Sequence, residues 1–238
     1  TDTFEKLPIC AAGHSLGEFS ALVSNGFISF EDCLGLVTKR ALFMSEEMKD
    51  IKGGMAAIIG LDAQKIINIC KELSTNEEII EAVNFNSSQQ TVVAGHLSLI
   101  EKATINFKSA GAKMVKTLPV SVASHTSLMI KCSEKIGKLL KNIDNNGKLN
   151  TNFSFPVIHN VDAEIKNSNN AIIEAVCKQV YNPVKWEETI NKMKAKVIIE
   201  IGPGKVLTGL NKRIIPNIET FSLDKYENIE QAMRIISE

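Results

Sequence analysis

The chain has 238 residues, 44% hydrophobic and 23% charged, and its 27 basic side chains are balanced by 27 acidic ones. That length suits one large globular domain or a large and a small one, and zero net charge argues against general nucleic-acid or polyanion binding. No apolar run approaches the ~20 residues of a membrane-spanning helix, the first residues do not read as a secretion signal, and no metal-ligand spacing occurs.

Short apolar runs alternate with amphipathic stretches along the chain, the pattern of an α/β fold. Residues 7–12 read as a strand, and a helix is expected from Leu16 to about Ser24. A second helix is expected over 31–48, where Leu34, Val37, Leu42, Met44 and Met48 recur near helical spacing, the two methionines as core. Lys52-Gly53-Gly54 then breaks the chain. Next come a strand at 55–61, a helix at 63–73, strands at 79–85 and 91–94, a helix at 97–110 and a strand at 113–120. That is the β-α-β-β-α-β order of a ferredoxin-like module. Residues 53–120 are therefore read as a small inserted domain, with 1–52 and 121–238 forming the large one. After the insertion, helices are expected at 126–143, 171–181 and 184–194, with strands at 155–161 and 197–201. A Gly202-Pro203-Gly204 turn, a helix to about Ile214, and a short strand and helix complete the chain.

Five cysteines (Cys10, Cys33, Cys70, Cys132 and Cys177) lie far apart with no C-x-x-C pair. Reduced thiols in a cytoplasmic protein fit that usage better than disulfides or zinc. Cys10, in the first apolar run, is expected to be a buried small hydrophobe.

The most informative stretch is Gly13-His14-Ser15-Leu16-Gly17. A G-x-S-x-G sequence between a strand and a helix is the context of a nucleophile elbow, which forces its serine into a strained turn over the end of a sheet. The flanking glycines are expected to remove Cβ atoms that would clash there. The Leu16 N–H, at the helix N-terminus, is placed to stabilise an oxyanion. Ser15 is thus the candidate nucleophile of an acyl-transfer enzyme, in a fold of α/β-hydrolase type.

A serine needs a base. His14 sits in the elbow itself and is expected to point elsewhere, His96 ends a strand of the small domain, and His159 lies within the strand expected at 155–161. His125 lies in Pro119-Val-Ser-Val-Ala-Ser-His-Thr126, where the chain leaves the small domain. A domain junction is where a cleft forms, so His125 is the candidate base; capping of the next helix is the alternative role. No acid between Ser15 and His125 ends a plausible core strand. A dyad, with His125 oriented by an uncharged group such as a main-chain carbonyl, is favoured over a triad.

Several motifs then carry a resemblance. They are Gly-His-Ser-Leu-Gly-Glu-Phe at 13–19, Lys39-Arg40, Gly-Gly-Met-Ala-Ala-Ile-Ile-Gly-Leu at 53–61, and Asn84-Phe85-Asn86-Ser87. Pro-Val-Ser-Val-Ala-Ser-His at 119–125, Tyr181-Asn182-Pro183-Val184-Lys185-Trp186 and Glu-Ile-Gly-Pro-Gly-Lys-Val-Leu-Thr-Gly at 200–209 continue the series. Together, in this order, they resemble the bacterial malonyl-CoA:acyl-carrier-protein transacylase family.

The resemblance implies roles. Ser15 would accept the acyl group and His125 would act as its general acid and base. Arg40, which alone reads as a solvated helix position, would grip the malonyl carboxylate, a task suited to a planar guanidinium. Gln179 would hold His125 through its main-chain carbonyl, Asn160 would lie near the same site, and Leu16 would supply one oxyanion N–H. The implied substrate is a coenzyme A thioester with no further cofactor, the implied partner is acyl carrier protein, and the protein is expected to be a monomer without nucleic-acid or membrane partners.

Two departures accompany the resemblance. Ala123 stands where proline is usual, and is expected to loosen the loop of the base slightly. Family members also carry a first strand and a Gly-Gln-Gly-Ser-Gln loop upstream, whose glutamine supplies a second oxyanion donor. The sequence is therefore expected to be an N-terminally truncated form. Rival readings are a serine thioesterase or esterase on the same elbow, an inactive carrier-binding module, and an acyltransferase of polyketide synthesis, although the Val-Ser-Val-Ala-Ser-His context leans toward an enzyme supplying fatty-acid elongation. Gly202-Pro203-Gly204-Lys205 reads as a tight turn rather than a phosphate cradle. Lys205, Lys212 and Arg213 would face an acidic carrier protein or the coenzyme A phosphates, or else form a solvated helix face.

Overall fold

The computed structural model describes residues 7–237. Helix α1 (Leu16–Ser24) and helix α2 (Phe30–Glu47) lead the fold. Ser29 starts α2 as its N-cap: its hydroxyl accepts the Asp32 N–H at 3.0 Å, and Glu31 and Asp32 place negative charge in the first turn. The buried stripe of α2 is Cys33, Leu36, Arg40 and Met44. This corrects the face expected from sequence, since Leu34 and Leu42 are each 52% exposed. Met44 and Met48 are in the core.

The next elements are β1 (Gly53–Ile59), α3 (Ala63–Leu73), β2 (Ile80–Ser87), β3 (Gln90–His96), α4 (Leu97–Ser109) and β4 (Met114–Thr117). The strands form an antiparallel sheet in the order β2-β3-β1-β4. Alternation along β1 decides which core each residue joins. Ala56 and Ile58 pack with Ile66, Cys70, Ile100 and Phe107 under α3 and α4, whereas Met55 and Ala57 join the core shared with α1 and α2. The unit thus has a core of its own on one sheet face and is cemented to the rest of the chain by the other. Each fully buried Ile or Phe contributes about 1.5–3 kcal/mol. Strand β2 also bridges in parallel to Val184, with Phe85 N–H donating to Val184 O and Val184 N–H to Val83 O, at 2.9 and 2.8 Å.

A 3-10 turn (Ser127–Met129) precedes α5 (Ile130–Asn145), which packs against α2 and α6 (Asn169–Tyr181). Helix α7 (Trp186–Met193), β5 (Val197–Glu200), α8 (Val206–Ile214), β6 (Glu219–Ser222) and α9 (Tyr226–Ser237) follow, with β5 and β6 parallel. The Glu200 carboxylate accepts the N–H groups of Leu207 and Thr208 at 3.0 and 2.7 Å. The first turn of α8 therefore already has its anion, and Gly202-Pro203-Gly204 serves as a turn.

Two expected strands are not formed as such. Residues 7–12 and 155–161 meet in a single bridge, Ala11 with Val157, closed by Ala11 N–H to Pro156 O and Ile158 N–H to Ala11 O. Pro156 has no N–H to extend the ladder, Leu7 and Ile9 lie 64% and 67% exposed, and the chain turns back at Ala163, where φ is 55°. Cys10 is half-buried rather than buried. All five cysteines are free thiols, and no helix among the described residues is long and apolar enough to cross a membrane.

Candidate active site

The elbow is built by a close approach. A Cβ on Gly13 would lie 1.9 Å from the carbonyl carbon and oxygen of Gly17, so only glycine fits there. Gly17 is a different case, because open space surrounds the place where its Cβ would go. The clash expected of both glycines belongs to Gly13 alone. Between them Ser15 has φ 51° and ψ −107°, a backbone strain of order 1–3 kcal/mol for a residue other than glycine. Asn160 holds it there. Its Oδ1 accepts the Ser15 N–H at 2.7 Å, while its Nδ2 donates to Gly13 O at 2.7 Å.

His125 is buried and also has a positive φ, 65°, fixed by its own N–H donating to Val180 O at 3.1 Å. Its ring Nδ1 is 2.7 Å from Gln179 O, and its Nε2 is 2.7 Å from Ser15 Oγ. A carbonyl only accepts, so Nδ1 carries the proton and the Nε2 lone pair faces the serine hydroxyl. Burial, together with the nearby Arg40 charge, lowers the His125 pKa to about 3, the Gln179 carbonyl opposing them. The imidazole is a neutral acceptor at any ordinary pH. Ala123 is fully buried and its carbonyl accepts the Thr126 hydroxyl at 2.7 Å, so this loop is well held.

Arg40 is 8% exposed, which overturns its reading as a solvated helix residue. Its Nη2 donates to Ser15 Oγ at 3.2 Å, its guanidinium lies 5.6 Å from the Phe19 ring centre, and its Nε has no hydrogen-bond partner among the described residues. Burial lowers its pKa, although a guanidinium remains cationic. A buried cation with an unused donor beside a nucleophile is chemically suited to pairing with an anion. Leu16 begins α1, so its N–H is among those with no partner inside the helix, and it adjoins Ser15.

Residues 7–222 match the family model of the acyl transferase domain. The chain belongs to the acyl transferase domain family. This acyl transferase domain is 41% identical to the malonyl CoA-acyl carrier protein transacylase of Escherichia coli K12, over 97% of the chain and 74% of that protein. The Bacillus subtilis protein of the same name is 37% identical over 97% of the chain and 72% of its own length. Among solved structures, a malonyl-transacylase in complex with a type II polyketide synthase acyl-carrier protein superposes with a TM-score of 0.91. It is 40% identical and covered over 97% of this chain and 74% of its own. The Coxiella burnetii malonyl CoA-acyl carrier protein transacylase gives a TM-score of 0.92 at 37% identity, over 98% and 73%.

Other residues of this acyl transferase domain escaped the sequence reading. Glu18 is fully buried and accepts from His159 Nδ1 at 2.7 Å, Asn160 N–H at 3.0 Å and Gln179 Nε2 at 3.0 Å. Gln179 Nε2 also donates to Ser15 O at 2.9 Å, so the side chain of Gln179 works as well as its carbonyl. The signal for Glu18 was its place in the first turn of α1, three residues past the serine. His14 does turn away from Ser15: its Nε2 meets Asn86 Oδ1 at 2.9 Å and its ring lies 5.5 Å from that of Trp186. Arg213 donates to Gln90 Oε1 at 3.0 Å and so ties α8 to the tip of the antiparallel sheet.

Proposed function

We propose that this chain transfers a malonyl group from malonyl-CoA to the pantetheine thiol of acyl carrier protein through a malonyl-Ser15 intermediate. The observation that carries the reading is Arg40, a buried guanidinium 3.2 Å from the hydroxyl that His125 also engages. Its relatives named malonyl CoA-acyl carrier protein transacylase supply the substrate and the partner.

In this reading His125 Nε2 takes the Ser15 Oγ proton as Oγ attacks the thioester carbonyl carbon. The carbonyl oxygen gains charge against the Leu16 N–H. The C–S bond breaks, and the proton on His125 passes to the departing coenzyme A sulfur. The carrier thiol then gives its proton to His125 and attacks the ester carbon. The C–Oγ bond breaks and Ser15 recovers its proton. Gln179 keeps the imidazole in the required tautomer throughout, and Asn160 keeps the elbow in its strained turn. Coenzyme A thioester is the substrate and the scheme uses no separate cofactor.

The architecture matching this reading is an α/β-hydrolase-like large domain, 1–52 and 121–238, with a ferredoxin-like insertion at 53–120. The strand order β2-β3-β1-β4 and its two helices support the second label. The protein would act as a cytoplasmic monomer.

Intact-mass spectrometry after mixing with malonyl-CoA tests the proposal. A malonyl adduct is expected on the unaltered chain and none on Ser15→Ala, and the adduct should move to acyl carrier protein when that is added. An unlabelled but folded chain would overturn the reading, and adduct release to water rather than to the carrier would make it a hydrolase.

A further inference from the structure

We infer that Glu18 is the positioning residue that fixes Ser15 and His125 relative to each other, an inference that rests on the acyl-transfer reading of that pair. Two hydrogen-bonded routes leave one buried carboxylate oxygen. Along the first, Glu18 Oε2 holds the Asn160 N–H at 3.0 Å, and the Asn160 side chain clamps Ser15 N–H and Gly13 O at 2.7 Å each. Along the second, Oε2 holds Gln179 Nε2 at 3.0 Å, and Gln179 carries the carbonyl 2.7 Å from His125 Nδ1. The same amide nitrogen reaches Ser15 O at 2.9 Å, which closes the circuit. Oε1 is steadied by His159 Nδ1 at 2.7 Å.

Nucleophile and base stand on different elements, Ser15 before α1 and His125 on the loop after β4. Gln179 is on α6 and Asn160 on the loop before it. Glu18 is where these elements meet. An ionised carboxylate is acceptor-only and takes several donors at once, which suits a group that must satisfy three. Burying it costs desolvation, and stability alone is often served equally well by an apolar side chain of the same volume. What the carboxylate adds is a fixed geometry. Glu18 makes no hydrogen bond to the Ser15 hydroxyl or the His125 ring, so its effect must reach the reaction through Asn160 and Gln179.

Two variants separate reach from charge. Glu18→Asp keeps the charge but withdraws the acceptor by about one methylene, and a misplacement near ~1 Å costs on the order of a hundredfold in a positioned reaction. Glu18→Gln keeps the reach: its amide oxygen can take the Asn160 and Gln179 bonds while its NH2 faces a His159 ring of the other tautomer. Rapid-quench acylation by malonyl-CoA, followed by intact mass, gives a burst amplitude (the fraction of competent sites) and a first-order rate constant. The expected result is an acylation rate constant about a hundredfold lower in Glu18→Asp at unchanged amplitude. Glu18→Gln should recover the rate constant to within about tenfold of the unaltered chain. A loss confined to amplitude would show a merely structural residue and overturn the inference. So would a slow Glu18→Gln beside a fast Glu18→Asp, which would make charge the operative property. If the unaltered chain takes no acyl group on Ser15, the functional reading falls and this inference with it. If the unaltered chain is acylated and both variants match it, only the inference falls.

Discussion

The Arg40 guanidinium donates to the Ser15 hydroxyl across 3.2 Å although the two residues stand 25 positions apart, one in the turn before α1 and the other within α2. One buried cation thus sits beside the candidate nucleophile, and in the proposed reading it would meet the free carboxylate of the acyl group carried by the serine. In that reading malonyl would satisfy the cation and acetyl would leave it unpaired, at a cost of about 2–3 kcal/mol, or on the order of a hundredfold. Arg40→Ala should therefore lower kcat/KM for malonyl-CoA by about a hundredfold and leave acetyl-CoA nearly untouched. Arg40→Lys should fall between, since it keeps the charge but not the two-pronged fork. Competition of the two thioesters for Ser15, read by intact mass, checks both; unchanged selectivity in Arg40→Ala would place the carboxylate elsewhere.

The His125 environment sets the pH behaviour. Its pKa is pushed down to about 3 by burial first and Arg40 second, below the ~6.5 of an unfolded histidine. The acylation rate constant should hardly change from pH 8 down to about 5, with no half-fall near 6.5. The same shift acts on stability. The folded protein holds fewer protons on this ring than the unfolded chain, so the contribution is complete above about 6.5 and is lost as pH falls toward 3. In His125→Gln that acid sensitivity should be reduced. Urea midpoints of the two proteins at pH 8 and pH 5 provide the comparison; a gap that stays constant would show that His125 titrates normally.

The strained serine was legible because its constraints are local: Gly13, the turn and the first residues of α1 are neighbours in sequence. The element order β-α-β-β-α-β from Gly53 to Thr117 was equally legible, each element carrying its own periodicity. Arg40 was misread from its own properties because a charged residue on a helix usually faces water. Yet Cys33, Leu36, Arg40 and Met44 recur at helical spacing, so the buried stripe ran through it while Leu34 and Leu42 drew attention to the wrong face. The resemblance put Gln179 and Asn160 beside the site, but the hydrogen bonds that tie both residues to Glu18 could not be read from the residues. Those bonds join residues 142 and 161 positions apart. No periodicity records a contact of that range. The strands expected at 7–12 and 155–161 failed for a related reason, because a ladder depends on what lies alongside, and apolar composition does not state that.

Asn160 binds the elbow on both sides of the strained serine. Asn160→Ala would leave Ser15 N–H and Gly13 O without their partners, at about 1–3 kcal/mol for each group that stays buried. Asn160→Asp should do no better than alanine at Gly13, because it sets a carboxylate oxygen against a carbonyl oxygen. Urea denaturation is expected to show both variants destabilised and their acylation slowed. A variant of full stability and slow acylation would mean that the strain is held by other contacts and that Asn160 acts only on geometry.

The two glycines of the elbow make opposite predictions from the same motif. At Gly13 an added Cβ would meet main-chain atoms of Gly17 at 1.9 Å and the Glu18 nitrogen at 2.4 Å. Main chain cannot swing aside as a side chain can, so relief requires unwinding the first turn of α1, where Glu18 is anchored. Gly13→Ala should lose more than ~4 kcal/mol, the range reserved for steric failure in a packed core, and with it the acylation of Ser15. At Gly17 there is open space and a helical position. Alanine there relieves the entropy that glycine costs a helix, and Gly17→Ala should gain about 0.5–1 kcal/mol. Thermal melts of the two variants decide the matter: a destabilised Gly17→Ala would mean that the motif's second glycine serves backbone conformation after all, and a tolerated Gly13→Ala would mean that α1 starts further along the chain.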